Sequence, residues 1–302
     1  MSDSPETPAQ AFAEAAALAA HGAPPDAAPD DADDLRGFHF RRLLGEVSTW
    51  VIIGVFMVAA GVAAGIFLES ASIAGGAAVA VLLLSIIVVF AIADSRAEDA
   101  FFLHYAQQKG LALGGRTPLP PATPLLRKGD DRYAERTLTG SLADGVDGVL
   151  ALYTYEEEHT DSEGNRDTDY YRYTLGLVQI PECAERLPEL YVQRKFGLRA
   201  LEGLEDKFRG SKERVELESE TLDKNYEIFV DEKQDANWIR QLFSPTFIVW
   251  LTETAPDKFA LELVRGTLCC YANGHKEKTD DLDRMRAATA AVAKRLRDES
   301  LE

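Results

Sequence analysis

The sequence lacks the features that several classes of protein require. It has only three cysteines in 302 residues, Cys183, Cys269 and Cys270, which are too few for a disulfide framework and fit a reducing compartment. Basic side chains are also scarce, with 32 Lys and Arg against 50 Asp and Glu, so the formal net charge is −18. Because proteins bind nucleic acids mainly by neutralising phosphates with basic side chains, we expect no nucleic-acid partner.

Motifs with a known catalytic mechanism are absent as well. The sequence contains no G-x-x-x-x-G-K-[ST] phosphate loop, no G-x-G-x-x-G, no H-E-x-x-H, no C-x-x-C and no G-x-S-x-G. The histidines are scattered along the chain, at His21, His39, His104, His159 and His275. The sequence therefore predicts no catalytic residue, no cofactor-binding residue and no metal ligand, and nothing in it supports an enzyme.

Charged residues are missing from two long runs near the amino terminus. None lies within 47–68, and after Glu69 none lies within 70–93. At about 1.5 Å per residue, each run is long enough to cross a hydrocarbon layer of about 30 Å as a helix. We therefore expect a hairpin of two transmembrane helices with a tight turn at Glu69. The lack of ionisable residues inside both runs argues against a pump or transporter.

Basic residues flank this hairpin on one side. Arg36, Arg41 and Arg42 precede the first run, Arg96 and Lys109 follow the second, and the turn between the runs has no Lys or Arg. The positive-inside rule then predicts a multi-pass protein of the cell membrane with both termini in the cytoplasm. The three leading arginines also suit anionic lipid headgroups, although topology alone accounts for them.

Two further segments differ in composition from the rest. Residues 1–35 are rich in Ala, Pro and Asp and cannot bury enough apolar surface to fold, so we expect a disordered acidic tail. Residues 94–124 are expected to continue the second span as a juxtamembrane helix ending at Gly110. A stiff proline-rich spacer from Pro118 to Pro124 is expected to follow that helix.

Residues 125–302 predict a cytoplasmic α+β domain. Alternating apolar and polar residues predict mainly antiparallel strands over 133–142, 149–157, 169–180, 213–219, 225–231, 258–265 and 267–273. Short helices are expected over 236–243 and 245–253, with Asp235 and Ser244 as N-caps. An amphipathic helix over 280–299 closes the domain, with Thr289 as the one polar residue on its apolar stripe. A strand-rich barrel with a terminal helix is the alternative architecture.

Acidic side chains concentrate in the hairpin between the second and third predicted strands. Oxygen ligands of this kind suit Ca²⁺ or Mg²⁺, but Gly164 stands at the fourth position of a D-x-E-G order, whereas a calcium loop needs glycine at the sixth. We favour a solvated tip that is available to a partner. Alternation places Tyr171 and Tyr173 on one face of the third strand and Tyr170 on the other. The acidic residues are Glu156, Glu157, Glu158, Asp161, Glu163, Asp167 and Asp169.

The neighbouring cysteines Cys269 and Cys270 could bind a metal together with Cys183 or His275, or they could be redox active. Neighbouring residues on a strand point to opposite faces of the sheet, so the two thiols are poorly placed to bind the same metal ion. We therefore expect one buried thiol and one outward thiol.

The soluble part contains five short sequence phrases, Leu138-Thr139-Gly140, Leu152-Tyr153-Thr154-Tyr155, Pro188-Glu189, Asn225-Tyr226-Glu227-Ile228-Phe229 and Gln241-Leu242-Phe243-Ser244-Pro245. Together they resemble an uncharacterised bacterial family of membrane proteins, and the resemblance covers most of residues 133–275. In that family two adjacent spans precede a β-rich cytoplasmic domain, so the resemblance implies the same architecture here. The family has no assigned activity or catalytic residue, and the resemblance implies none.

Together these features predict a membrane-anchored domain that binds a protein partner or a second copy of itself. The anchor, the size of the domain and the absence of recognisable chemistry favour this hypothesis. A membrane-tethered enzyme or ligand sensor of an unfamiliar class is the first alternative, and a channel or transporter subunit is the second.

Overall fold

The computed structural model describes Gly54, Val58 and residues 71–160, 164–195 and 212–301. The chain divides into two compact units, residues 1–105 and 106–302. The predicted tail (1–35), the arginines that follow it and the first predicted span (47–68, apart from Gly54 and Val58) lie outside the described residues. Asp161 and Glu163 of the acidic hairpin also lie outside them.

One long helix, α1 (Ala71–Lys109), begins in the first unit. It ends before Gly110, whose φ of +67° breaks the helical path, as the sequence predicts. Large apolar side chains are exposed along it, among them Val79, Leu83 and Ile87. Within the described ranges, no helix is both long enough and apolar enough to cross a membrane.

The second unit is built on a single antiparallel sheet. In the described part of the chain its nine strands have the order β1-β2-β3-β4-β9-β8-β5-β7-β6. The end strands β1 and β6 do not pair with each other in this part, so the sheet is open and differs from the alternative barrel. The strands are β1 (Ala112–Gly114), β2 (Asp131–Ala143), β3 (Val146–Thr160), β4 (Arg166–Gln179), β5 (Glu189–Arg194), β6 (Lys212–Val215), β7 (Tyr226–Asp231), β8 (Ala260–Val264) and β9 (Thr267–Asn273).

Helices connect and cover these strands, which makes the unit an α+β domain as predicted. Asp235 caps α4 (Ala236–Leu242) by accepting a hydrogen bond from the Asn237 N–H (2.8 Å). Ser244 precedes α5 (Pro245–Val249) without a side-chain cap bond. The predicted helix over 245–253 continues beyond α5 as a π-helical turn (Trp250–Thr254). The helices are α2 (Cys183–Arg186), α3 (Glu220–Asn225), α4 (Ala236–Leu242), α5 (Pro245–Val249) and α6 (Thr279–Leu301).

The carboxy-terminal helix α6 covers one face of the sheet, across β2, β3, β4 and β9. Its apolar stripe is buried as predicted, including Leu282, Met285 and Leu296. Thr289 donates its hydroxyl to the Met285 carbonyl (2.9 Å) and lies against Gly176 of β4. A Cβ atom at position 176 would stand 2.2 Å from the Thr289 Oγ1, so glycine at this position allows the helix to approach the sheet closely.

The predicted proline-rich spacer lies against the other face of the sheet. We call residues 117–128 the strap. Thr117 and Ala134 exchange two backbone hydrogen bonds (2.9 and 2.8 Å), and Leu125 and Leu126 are fully buried among β2, β3, β4, β8 and β9. The apolar side chains of the strap find their partners on a sheet surface that is distant in sequence, so the strap belongs to the core of the domain.

Both faces of the sheet are covered, by α6 and by the strap, and both adjacent cysteines are therefore shielded from solvent. Cys269 lies on the strap side and Cys270 on the α6 side, and both are fully buried. The predicted outward thiol is therefore wrong, although the two thiols do point to opposite faces. Burial raises the pKa of both. Among the residues that the structure describes, no group of three His, Cys, Asp or Glu side chains could hold a metal ion.

Candidate functional site

Strands β3 and β4 extend beyond the rest of the sheet as a two-stranded ribbon. The pairing of β2 with β3 stops at Glu156, and the pairing of β4 with β9 stops at Tyr173. The register between β3 and β4 continues to the pair Thr160 and Arg166. We call residues 157–160 and 166–172 the ribbon. At about 3.3 Å per residue, its β4 strand is roughly 20 Å long.

The neighbouring chain segments turn away on both sides of the ribbon. Gly274, with a φ of +81°, directs the chain away from β4 after β9. The Lys276 N–H then donates to the Thr174 hydroxyl (2.8 Å), and the chain crosses toward α6. On the other side, the Asp130 carboxylate accepts the Glu158 N–H (2.9 Å) and partly closes the outer edge of β3. The outer edge of β4 has no such cover from the described residues.

The direction of the backbone groups along this β4 edge follows from one hydrogen bond. The Gly274 N–H donates to the Arg172 carbonyl (2.7 Å), so the backbone groups of Arg172 point away from β3. Along a strand, the backbone N–H and C=O groups of successive residues point alternately to the two edges. The backbone groups of Tyr170 and Thr168 therefore also point away from β3. The Thr168 N–H donates to the adjacent Asp167 carboxylate (2.9 Å), whereas the Tyr170 N–H has no partner among the described residues. Among the residues that the structure describes, the outer edge of β4 is therefore an open strand edge.

One side-chain face of the ribbon is acidic. Glu157 stands directly opposite Asp169, and His159 stands opposite Asp167. The His159 Nε2 lies 3.4 Å from the Asp169 Oδ2, and both side chains are more than half exposed. Directly opposed like charges destabilise a strand pair, so Glu157 and Asp169 weaken the ribbon that carries them.

The other face of the ribbon presents an aromatic ring. Tyr170 is 53% exposed, and the Arg172 guanidinium carbon lies 5.8 Å from the centre of its ring. Arg166 and Thr168 share this face by strand alternation, and Glu158 of β3 stands opposite Thr168. The two faces of the ribbon therefore differ in chemistry: one carries Glu157, Asp167 and Asp169, and the other carries an exposed tyrosine among charges of both signs.

Stacked tyrosines anchor the ribbon to the sheet. Tyr155 stacks on Tyr171 at 4.8 Å and on Tyr173 at 5.9 Å between ring centres, and Tyr173 meets Tyr271 edge to face at 5.9 Å. Aromatic pairs of this kind contribute about 0.5–1.5 kcal/mol beyond their burial. Burial raises the pKa of Tyr155, so its hydroxyl stays protonated. The prediction that Tyr171 and Tyr173 share one face and Tyr170 points to the other is confirmed.

A buried carboxyl group, which the sequence did not predict, lies under the strap. Glu262 of β8 is fully buried, its Oε2 accepts the Leu125 N–H (3.0 Å), and its Oε1 accepts the Tyr271 hydroxyl (3.4 Å). Burial raises the pKa of Glu262, against the opposing effects of these hydrogen bonds and of the Lys128 charge. The signal in the sequence is a glutamate between leucines in a strand that is apolar on both faces.

The strap separates this buried cluster from solvent. Glu262, Tyr271, Cys269 and Thr123 are each at most 1% exposed. The Thr123 hydroxyl faces the Glu262 carboxyl, although its geometry falls short of a hydrogen bond. In this arrangement the cluster holds the strap to the sheet and is closed to solvent.

A second charged cluster lies near the β6 edge of the sheet. The Lys212 Nζ is 3.0 Å from the Glu189 Oε2 and 3.7 Å from the centre of the Tyr191 ring. The Tyr191 hydroxyl donates to the same glutamate oxygen (3.0 Å). Burial lowers the pKa of Lys212, but its ion pair with Glu189 acts in the opposite direction. This cluster is internally satisfied and is not a candidate site.

Comparisons with known proteins add little to this description. No protein-family model matches the chain, and no curated protein matches it. Among solved structures, the chain is similar to the crystal structure of a mycobacterial trehalose monomycolate transport factor A, with 8% sequence identity and a TM-score of 0.40. The match covers 65% of this chain and 89% of that one. A likeness this weak carries no argument about function.

Proposed function

We propose that this chain is an integral membrane protein whose α+β domain lies on the cytoplasmic side and binds a protein partner through the ribbon. The observation that carries the proposal is the long open edge of β4. Proteins usually keep edge strands short, charged or covered. The ends of this sheet follow that rule, since β1 has 3 residues and β6 has 4 residues that include Lys212, Glu213 and Arg214. The β4 strand of the ribbon also carries charges, at Arg166, Asp167, Asp169 and Arg172, but it is longer than either end strand.

The membrane anchor is supported by the two uncharged runs, 47–68 and 70–93, which each have the length of a span. In the second run, the side chains of Val79, Leu83 and Ile87 on α1 are 56–63% exposed. Exposed apolar side chains of this size suit contact with lipid better than contact with water. The basic residues that flank the hairpin favour cytoplasmic termini.

A different protein is favoured over a second copy of the chain. The chain carries a formal net charge of −18, so two copies repel each other at long range. The ribbon adds carboxylates at Glu157, Asp167 and Asp169 to this unfavourable field. A partner with a basic binding segment is instead attracted by these carboxylates.

The anchor and its orientation are tested by labelling in intact cells. Cys183, Cys269 and Cys270 are buried, so cysteines introduced by Ser2→Cys and Glu302→Cys would dominate the labelling of the native chain. We expect the protein to stay in the membrane after alkaline carbonate extraction. We also expect both new thiols to react with an impermeant maleimide only after the cells are opened. Release by carbonate, or labelling of either end in intact cells, contradicts the anchor or its orientation.

The role of the ribbon is tested by crosslinking in living cells. A photoreactive benzoyl-phenylalanine at position 170 of the full-length protein is compared with the same residue at position 216, where Glu216 is exposed away from the ribbon. We expect an adduct of defined mass only from position 170. The variant Asp167→Lys with Asp169→Lys should abolish it, and Glu216→Lys with Glu232→Lys, which changes the net charge equally, should not. Equal adducts from both positions, or none from position 170, refute the binding role.

A further inference from the structure

The open edge of β4 offers backbone hydrogen bonds to an added strand. The backbone groups of Thr168 and Tyr170 point away from β3, as established by the bond from Gly274 to Arg172. The Arg172 carbonyl already accepts the Gly274 N–H, so an extended segment of about five residues fits the free part of this edge, from Arg166 to Tyr170, and main-chain bonds then supply affinity. Asp130 occupies part of the other edge by binding the Glu158 N–H, so the β4 edge is the accessible one.

On the acidic face, an added strand places its side chains beside Asp167 and Asp169. Directly opposed side chains on neighbouring strands have Cβ atoms about 5 Å apart. Lys or Arg residues separated by one position match these two carboxylates. Glu157 lies one strand further, directly opposite Asp169, and adds attraction for the same cations.

On the other face, the same added strand passes over the exposed ring of Tyr170. A residue that lies between two basic residues points to this face, because side chains alternate along a strand. A β-branched or aromatic side chain at this position would cover the ring of Tyr170, which is 53% exposed. The two faces together specify an alternation of basic and apolar residues.

We propose that the partner contributes an extended segment of alternating basic and apolar residues, which pairs antiparallel with β4 between Arg166 and Tyr170. Every neighbouring strand pair in the sheet is antiparallel, and the added strand continues this pattern. The inference rests on the proposed function and specifies the chemistry of the partner. In this pairing the apolar residues of the segment, opposite Thr168 and Tyr170, direct their N–H groups toward the ribbon.

The test uses the peptide Lys-Val-Lys-Val-Lys-Val-Lys and the full-length, isotopically labelled protein in detergent. Addition of the peptide should slow amide exchange most at Tyr170, because the Thr168 N–H already donates to the Asp167 carboxylate in the free protein. The amides of Asp169 and Tyr171 already pair with β3 and should change little. A peptide N-methylated at every valine should fail to bind, while one N-methylated at the inner lysines should bind. Binding of the valine-methylated peptide as tightly as the unmodified one overturns the proposed pairing.

A matched pair of protein variants tests the same edge. Tyr170→Ala and Tyr170→Pro both remove the ring, but only proline also removes the outward N–H. Because this N–H points away from β3, proline at position 170 is compatible with an edge strand. We expect the proline variant to bind the peptide about tenfold more weakly than the alanine variant, with an unchanged amide spectrum outside the ribbon. Equal affinities overturn strand addition.

The two proposals fail in different ways. If the peptide does not bind while the crosslink from position 170 persists in cells, the partner uses another mode of contact, and strand addition is refuted while the proposed function stands. If both the peptide and the crosslink fail, the proposed function is refuted as well.

Discussion

Replacing Glu157 with lysine should stabilise the ribbon and weaken its binding to a basic partner. The register places Glu157 directly opposite Asp169, with Cβ atoms expected to be about 5 Å apart. Two unit charges at about 5 Å interact by about 0.8 kcal/mol in water, and Glu157→Lys changes this interaction from repulsion to attraction. Salt screening and the exposure of Asp169 reduce the gain to about 0.5–1 kcal/mol.

Amide exchange in the full-length protein measures this gain locally. The N–H groups of Asp169 and Tyr171 point toward β3, and their exchange reports opening of the ribbon. Glu157→Lys should slow their exchange about two- to fivefold at low salt, and the effect should shrink at about 0.5 M salt. Glu157→Gln removes the repulsion without adding attraction and should produce about half the gain in free energy. The affinity for the lysine–valine peptide should fall in both variants.

Opposite changes in stability and affinity are the signature of an acidic residue retained for binding. Unchanged or faster exchange in Glu157→Lys at low salt would show that the opposed carboxylates do not repel each other, and the electrostatic reasoning would fail. Slower exchange with undiminished peptide affinity would instead separate Glu157 from the binding surface.

Three further predictions concern the core that holds the ribbon. Leu126→Ala should destabilise the domain by about 2–5 kcal/mol in denaturant unfolding, because its side chain is fully buried between the strap and the sheet, and an unchanged stability would contradict this packing. Gly176→Ala should cost about 1–3 kcal/mol, since its Cβ would stand 2.2 Å from the Thr289 Oγ1. Adding Thr289→Ala should recover part of this loss in a double-mutant cycle, and strictly additive losses contradict the close contact. The pKa of Glu262 is raised in the folded state, so the native protein binds more protons than the unfolded chain, and stability should decline as pH rises above about 4.5, the ordinary pKa of the group. Glu262→Gln should remove this slope, and parallel pH profiles for the two proteins contradict the assignment.

The elements that the sequence predicted correctly are those decided by local geometry. Alternation along β4 was sufficient to separate Tyr170 from Tyr171 and Tyr173, because neighbouring side chains on any strand point to opposite faces. The amphipathic stripe of α6 identified the closing helix for a similar reason. Thr289 is the one polar residue on that stripe, and its contact with Gly176 in the folded domain explains its presence there.

The sequence predicted a stiff spacer over 118–124 and a folded domain from residue 125, but it did not predict that the strap packs on the sheet, because this packing depends on residues distant in sequence. A segment with Pro118, Pro120 and Pro121 has the composition of a stiff spacer. Leu125 and Leu126 are buried because strands β2, β3, β4, β8 and β9 together present an apolar surface to them. The burial of Glu262 could not be predicted for the same reason, since it requires both the sheet and the strap.

The sequence also predicted the acidic hairpin but could not predict its open edge. That edge depends on where β9 ends, and Gly274 directs the chain away at this point. It also depends on the start of β2, where Asp130 binds the opposite edge. Strand ends are set by tertiary contacts such as the bond from the Lys276 N–H to Thr174, which leave little trace in the periodicity of either strand.

The most direct test of the central claim is purification of the full-length protein from cells extracted with mild detergent, followed by measurement of the particle mass and quantitative mass spectrometry of what co-purifies. We expect a stoichiometric partner with the wild-type protein and with Glu216→Lys plus Glu232→Lys. The same partner should be lost with Asp167→Lys plus Asp169→Lys. A protein that purifies alone, or a partner retained equally by all three forms, contradicts a binding role for the ribbon.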